Sequence, residues 1–244
     1  MPGIIASGTL LGVIIGSFTA TLVIRWPLDR SIVSGRSHCD SCELPLSATE
    51  LIPLLSFVFQ RGRCRGCRAA INPRHFFVEL ACGFIGGAAF AISPDVAGLA
   101  GAVFGWVLVA LIMLDAEHFW LPDKLVLPLG AAGLLFGVAG IGISLNDRMF
   151  GALAGYLSLE LIRITYRLTR GREGLGGGDP KLLGAIGAWL GWQVLPFVVL
   201  GASAVGLLSV LTKMTRGQVV SANDRIPLGS LLALAAIAVW PFTT

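Results

Sequence analysis

Two aspartates stand at the borders of long apolar runs. Asp115 follows an uncharged run over residues 96–114, and Asp179 precedes a second one over residues 182–212. An ionisable side chain at the end of a membrane helix usually has a function. Two carboxylates that share one proton can act together, the ionised one taking a proton from water while the protonated one hydrogen-bonds a peptide carbonyl. The pair therefore predicts the site of an intramembrane aspartyl protease.

Glycines lead directly into the second aspartate, in the order Gly176-Gly177-Gly178-Asp179. Without side chains the backbone turns tightly and an extended peptide can approach it. A second interpretation needs no chemistry: the glycines form a connection, and Asp179 caps a helix whose first turn holds Pro180. These residues alone leave both interpretations open.

Four of the five cysteines form two close pairs. Cys39 and Cys42 are separated by 21 residues from Cys64 and Cys67. Two Cys-x2-Cys pairs can supply the four thiolates of a tetrahedral zinc site. Such a metal would hold together a segment too small to build its own core. The alternative is a pair of disulfides. It is disfavoured because the charge pattern described below places this segment in the cytoplasm, where disulfides rarely persist.

The composition indicates a membrane protein with many spans. Hydrophobic residues make up 55% of the chain and charged residues 13%, and the mean hydropathy is +0.81. A soluble domain cannot bury that much apolar surface. With about 20 residues per spanning helix, the sequence predicts an all-α polytopic protein of about eight spans. They start at Ile4, Phe76, Val96, Leu125, Met149, Leu182, Pro196 and Ile226.

The number of spans depends on the run over residues 182–212, which we divide into two helices near Gln193 and Pro196. Cytoplasmic loops are enriched in Lys and Arg. With the N-terminus outside and eight spans, 17 of the 18 basic residues lie inside, and Arg148 is the exception. The net charge of +4 therefore reflects topology, and no stacking aromatics interleave the arginines as in a nucleic-acid groove. Two spans separate Asp115 from Asp179, so both aspartates are predicted at the cytoplasmic face.

Three regions follow from these patterns. Residues 1–24 form a first transmembrane helix, residues 25–75 a cytoplasmic four-cysteine loop domain, and residues 76–244 a membrane-embedded peptidase domain. Gly8, Gly12 and Gly16 recur every four residues in the first helix and predict a close packing face. Proline and glycine punctuate the loop, for which we expect turns and short strands.

Nearly the whole chain resembles the prepilin peptidase family of type IV pili and type II secretion. The matching elements are Gly16-Ser17-Phe18, Arg25-x-Pro27, the two cysteine pairs, Asn72-Pro73-Arg74, Pro122-Asp123, Gly176-x-Gly178-Asp179-x-Lys181 and Ile226-Pro227-Leu228-Gly229. The last is similar to a family element Ile-Pro-Phe-Gly-Pro, with Leu228 in place of Phe and Ser230 in place of Pro. Neither change is expected to touch the chemistry.

The resemblance implies roles for the residues singled out. Asp115 and Asp179 correspond to the catalytic pair of a GxGD-type aspartyl protease, and Gly176, Gly178, Lys181 and Asp123 to supporting positions. It implies cleavage of prepilin and pseudopilin leader peptides at the cytoplasmic face of the bacterial inner membrane, within the lipid bilayer. Members with the cysteine loop commonly also methylate the new N-terminal residue with S-adenosylmethionine.

Glu79 is the candidate for a part in methylation or cofactor binding, because it lies at the start of the second span beside the loop. Pairing with a nearby arginine explains it equally well. The rival to an enzyme is a membrane scaffold or small transporter whose zinc loop docks a partner. A transporter predicts inverted repeats and helices broken near the midplane, whereas the aspartates lie at one face and no repeat is evident.

Overall fold

The structure, a computed structural model, describes residues 1–31, 37–39, 41–218 and 225–243. In these residues it is all-α, as predicted, and it divides into two compact units, Met1–Trp106 and Val107–Thr244. Short 3-10 helices cover Trp26–Leu28, Ala48–Leu51 and Trp240–Phe242. The α-helices are α1 (Pro2–Arg25), α2 (Leu55–Phe59), α3 (Arg74–Ile92), α4 (Val96–His118), α5 (Asp123–Val138), α6 (Leu145–Arg170), α7 (Gly178–Leu190), α8 (Leu195–Thr215) and α9 (Leu228–Val239).

Four of the described helices are long and apolar enough to cross a membrane: Pro2–Leu28, α3, α4 and α8. The other predicted spans coincide with α5, α6, α7 and α9. Of these, α5, α7 and α9 are shorter than a full crossing, and α6 is more polar. A multi-pass membrane protein is therefore confirmed, whereas the count of eight spans is not.

The long uncharged run contains two helices, as predicted. α7 ends at Leu190 and α8 begins at Leu195. Gly191 between them has φ +80°, a conformation open to glycine but strained for other residues. Gln193 lies in the break and donates to the Asp147 carboxylate at 2.9 Å. Pro196 stands in the first turn of α8, where it removes no helical hydrogen bond.

The cysteine loop contains no strand in its described part. Instead of the predicted short strands it has two isolated bridges, His38 with Pro45 and Arg63 with Ala70. Each bridge closes a tight turn that contains one cysteine pair. The expectation of strands was wrong because the chain on each side of the pair folds back within a few residues, which leaves no length for a strand.

In the first unit α1 packs directly against α3. A Cβ atom on Gly12 would overlap the Cys82 carbonyl, and one on Gly16 would lie 2.7 Å from the Cα atom of Glu79. The predicted small-residue packing face is thus confirmed. The Trp106 indole N–H donates to the Cys82 carbonyl at 2.8 Å, which satisfies a polar group inside the unit.

In the second unit α7 is the central helix. Residues 182–190 are all buried, and α7 contacts α5, α6, α8 and α9. The Trp189 indole N–H donates to the Leu129 carbonyl of α5 at 2.6 Å. A helix surrounded by protein need not match the membrane thickness, which accounts for its 13 residues. This rigid element carries Asp179 in its first turn.

Arg148, the exception to the charge rule, is a buried structural residue with 5% exposure. Its guanidinium donates to four backbone carbonyls, those of Gly133 at 2.9 Å, Ala188 at 3.1 Å, Ile141 at 2.9 Å and Ile143 at 3.2 Å. Gly133 and Ala188 belong to α5 and α7. The side chain therefore joins α6 to the C-terminal parts of α5 and α7. A cation is favoured at the C-terminal end of a helix.

Replacing Arg148 by methionine is expected to destabilise the second unit by about 3 kcal/mol, because it leaves buried carbonyls without donors. Thermal unfolding of the purified protein in detergent measures this loss. Arg170→Met is the matched control, since Arg170 is exposed at the end of α6. Equal melting temperatures for both variants would show that the four carbonyls are satisfied in another way.

Candidate active site and metal centre

Asp115 lies in the last turn of α4 and is 5% exposed. Its Oδ2 atom accepts two hydrogen bonds from one residue of α9: the Ser230 N–H donates at 2.6 Å and the Ser230 hydroxyl at 3.0 Å. A carboxylate with two donors on one oxygen is held in a fixed orientation. The last described α-helix therefore helps to position a residue 115 places earlier in the sequence.

Asp179 lies in the first turn of α7 and is 7% exposed. The backbone N–H groups of Gly176 and Gly229 face its carboxylate, which lies close enough to the Asp115 carboxylate for the two to interact electrostatically. The structure thus brings the two predicted aspartates together. Consecutive residues at the start of α9, Gly229 and Ser230, each serve one of the two carboxylates.

Several positions around the two aspartates have room only for glycine, because other atoms lie close to their backbone. A Cβ atom on Gly176 would lie 3.0 Å from Oδ2 of Asp179, and one on Gly229 would lie 3.0 Å from Oδ2 of Asp115. One on Gly178 would lie 2.8 Å from the Leu121 Cβ atom. Backbone groups can therefore reach the carboxylates only where side chains are absent.

Ser230 is a site residue that sequence reasoning missed. Ser230 stands where the related family element has proline, and we expected this difference to leave the chemistry untouched. The two hydrogen-bond donors to Asp115 are nevertheless the N–H and the hydroxyl of Ser230. Proline has no backbone N–H and no hydroxyl. The sequence signal that could have identified Ser230 was this replacement of proline, which has no hydrogen-bond donor, by serine, which has two.

Asp123 and Lys181 form an ion pair between the start of α5 and the first turn of α7. The Lys181 Nζ atom lies 2.8 Å from both carboxylate oxygens of Asp123. Both side chains are partly exposed, so the pair contributes little to stability. The ion pair joins α7 to α5, and Lys181 lies two residues after Asp179 in α7.

The four predicted cysteines form one cluster, with all four sulfurs within 4.8 Å of one another. The Cys39 and Cys67 sulfurs are 3.9 Å apart, and the Cys42 and Cys64 sulfurs 4.0 Å apart. All are free thiols. Zn–S bonds of about 2.3 Å in a tetrahedron place sulfurs about 3.8 Å apart, whereas a disulfide requires about 2.05 Å. The arrangement fits a metal, and none of the four sulfurs lies at disulfide distance from another.

Cys64 is the buried member of the cluster, with 5% exposure. The backbone N–H groups of Cys67 and Gly66 lower the pKa of the Cys64 thiol to about 7. Donors directed at a sulfur stabilise the thiolate, which is the form that binds metals. At neutral pH this position is already prepared for a cation.

A cavity of about 200 Å³ adjoins the cluster within the first unit. Its wall includes side chains of α1, of the loop and of α3, among them Ser17, Arg25, His75 and Glu79. Glu79 is 5% exposed, and its Oε2 atom accepts the Leu54 N–H at 2.7 Å. The carboxylate thus joins α3 to the loop and also borders the cavity.

The fold and the paired carboxylates define a multi-pass membrane protein of the aspartyl protease class. The chain belongs to the type IV leader peptidase family, whose model matches residues 102–211. Residues 10–92 match the model of the bacterial peptidase A24 N-terminal domain. The first match contains Asp115 and Asp179, and the second contains the four cysteines.

Curated relatives carry the name prepilin leader peptidase/N-methyltransferase. One from Aeromonas hydrophila is 45% identical over 205 residues, covering 82% of this chain and 69% of the relative. One from Burkholderia pseudomallei is 37% identical over 266 residues, covering 98% and 86%. One from Stutzerimonas stutzeri is 36% identical over 252 residues, covering 93% and 86%. No solved structure matches the chain significantly.

Proposed function

We propose that this protein cleaves the leader peptides of type IV prepilins and related pseudopilins and methylates the new N-terminal residue. The observation that carries the proposal is the buried pair of Asp115 and Asp179, joined by backbone donors of α9. The shared name of relatives at 36–45% identity supports both activities. It does not favour the alternative of a non-enzymatic scaffold or transporter.

In the peptidase reaction the two aspartates act on one peptide bond. The ionised carboxylate takes a proton from the attacking water, and the protonated carboxyl hydrogen-bonds the scissile carbonyl. Gly176 leaves room for the Asp179 carboxylate, Gly178 leaves room for the Leu121 side chain that packs beside it, and the Asp123–Lys181 pair holds the start of α7. The two glycines and the ion pair support the aspartates without reacting.

The reaction is proposed at the cytoplasmic face of the bacterial inner membrane. The N-terminus lies outside, and the cysteine loop and the Asp pair lie inside, because this orientation puts 17 of the 18 basic residues in the cytoplasm. Residues 25–75 then form the cytoplasmic loop domain between a first helix, residues 1–24, and the peptidase domain, residues 76–244. A prepilin presents its short basic leader on that side.

Zinc is the proposed metal of the cysteine cluster, held by Cys39, Cys42, Cys64 and Cys67. Four thiolates complete a tetrahedral shell and leave no open position for a substrate. The metal therefore has a structural role. It fixes the loop, whose described part contains only short helices such as α2 and the 3-10 helices Trp26–Leu28 and Ala48–Leu51, against the membrane helices that border the cavity.

Methylation is proposed at the cavity beside the cluster. S-adenosylmethionine supplies the methyl group when bound. Both its sulfonium and the α-ammonium of a processed pilin are cations, which a carboxylate at a cavity wall attracts. Glu79 provides that carboxylate, and its hydrogen bond from Leu54 holds it in place.

Glu79→Gln is expected to reduce methylation at least about tenfold while leader cleavage continues, because glutamine keeps an oxygen for the Leu54 N–H but loses the charge. Mass spectrometry of the processed pilin N-terminus separates the two activities. Equilibrium binding of S-adenosylmethionine, which carries the sulfonium charge, is a second readout. Glu43→Gln is the control, since Glu43 is exposed on the same loop. Equal methylation by both variants contradicts the role of Glu79.

The whole proposal is tested by incubating the purified protein with a prepilin and S-adenosylmethionine in detergent. A mobility shift and a shortened N-terminal mass indicate cleavage, and an added 14 Da indicates one methyl group, about the mass of a CH₂ unit. An unprocessed substrate would return the scaffold interpretation to consideration.

A further inference from the structure

We propose that Ser230 is a positioning residue that makes Asp115 the ionised member of the pair, which leaves the shared proton on Asp179. The inference rests on the proposed peptidase activity and assigns to each aspartate one of its two roles. Asp115 then takes the proton from water, and Asp179 hydrogen-bonds the scissile carbonyl.

The first argument is the number of donors on one oxygen. Oδ2 of Asp115 accepts the Ser230 N–H at 2.6 Å and the Ser230 hydroxyl at 3.0 Å. Both residues are buried, so no water competes strongly for these bonds. A backbone N–H can only donate, and hydrogen bonds to the charged form of a carboxylate favour that form.

The second argument is that the hydroxyl is free to follow the state of Asp115. The Ser230 hydroxyl also lies 2.9 Å from the Ile112 carbonyl. A hydroxyl has one proton and can also accept. It can donate to Asp115 when the carboxylate is ionised, and turn to Ile112 after Asp115 has taken a proton, accepting that proton's hydrogen bond. Asp115 can therefore take up a proton during turnover without leaving a polar group unpaired, but only its ionised state accepts both Ser230 donors.

The third argument is the asymmetry of the pair. Each aspartate has two donors, but those of Asp179 are the backbone N–H groups of two residues, Gly176 and Gly229, whereas both donors of Asp115 belong to Ser230 and reach the same oxygen, Oδ2. The first turn of α9 contributes no acidic side chain that would oppose this. The other charged or titratable groups near this end of the described unit include Asp179 on α7, Glu117 and His118 on α4, the Asp123–Lys181 pair, and the Glu160–Arg163 pair of α6, whose guanidinium lies beside Gly177.

Ser230 can be replaced without disturbing the helix. The first helical N–H of α9 that is bonded to the preceding turn is that of Leu231, which donates to Pro227. The Ser230 N–H has no helical acceptor, so proline at this position costs no backbone hydrogen bond. Ser230→Ala removes the hydroxyl alone, Ser230→Pro removes both donors, and Ser230→Thr restores the hydroxyl.

The test is the pH dependence of kcat/KM for prepilin cleavage. A base must be ionised to act, so loss of its donors moves the acidic limb toward higher pH. We expect a shift of about one to two pH units for Ser230→Pro, a smaller one for Ser230→Ala and none for Ser230→Thr. Ser203→Ala is the control, because this exposed serine bonds only within α8.

An unmoved acidic limb in both Ser230→Ala and Ser230→Pro overturns the proposal, and so does a shift confined to the alkaline limb. An infrared titration of the buried carboxyl band, assigned with Asp115→Asn, gives the same comparison without turnover. If the wild-type protein cleaves no prepilin, the proposed function fails. The infrared titration then still decides whether Ser230 controls the ionisation of Asp115.

Discussion

Replacing either Asp115 or Asp179 by asparagine is expected to reduce prepilin cleavage by at least about 10³-fold. Each amide keeps the size of the side chain but can neither take a proton from water nor share one with its partner. Because the two groups work as a unit, the double variant should be no less active than either single one. Initial cleavage rates in detergent, followed by mobility shift and N-terminal mass, measure the loss.

Asp95→Asn is the matched control for this experiment. Asp95 is exposed and accepts the Ala97 N–H at 2.9 Å at the start of α4, a cap that asparagine can also provide. Methylation of a pilin that has already been cleaved serves as a folding control for the two active-site variants. Cleavage at the wild-type rate by either Asp115→Asn or Asp179→Asn would remove the aspartyl mechanism.

Replacing Cys64 by serine is expected to abolish stoichiometric zinc binding, from one ion per chain to none. Cys64 is the buried ligand, and its thiol has a pKa lowered to about 7 by backbone donors, so its loss removes the position best prepared for the metal. Metal analysis of purified protein gives the zinc content. Limited proteolysis of the segment over residues 41–75 reports whether the loop loses its fold with the metal.

Cys82→Ala is the control, because it removes a thiol that lies outside the cluster. Cys82 is buried in α3, away from the four predicted ligands. This variant should keep its zinc and its resistance to protease. A zinc content that is unchanged in Cys64→Ser would contradict a four-cysteine site. Disulfides mapped between the pairs in the native protein would replace zinc as the element that stabilises the loop.

The parts of the fold that could be predicted were those encoded in local sequence. Apolar runs predicted the helices, and the Gly8-Gly12-Gly16 spacing predicted a packing face. The two Cys-x2-Cys pairs predicted a cluster whose sulfurs lie within 4.8 Å. In each case the residues that form the pattern are neighbours along one helix or one turn, so the pattern can be read from the sequence even where its partner lies in another segment.

The parts that could not be predicted depend on contacts between distant segments. Arg148 looked like a misplaced loop charge until α5 and α7 supplied its carbonyl partners. Glu79 was expected to pair with an arginine or a cofactor, and its observed partner is the Leu54 backbone. Ser230 seemed neutral because its effect depends on Asp115, 115 residues away. No local periodicity reports such pairings.

The contribution of α9 to the site has a consequence for biosynthesis. Ser230 follows Asp115 by 115 residues and Asp179 by 51 residues, so a nascent chain has made both aspartates before it has made the donors of α9 that orient them. At about 5–20 residues per second the interval after Asp179 lasts about 3–10 s. During that time the inserted part of the protein holds an unfinished catalytic centre, and a pilin that diffuses past it meets no oriented carboxylate pair. Proteolysis is therefore expected to begin only after α9 has been made.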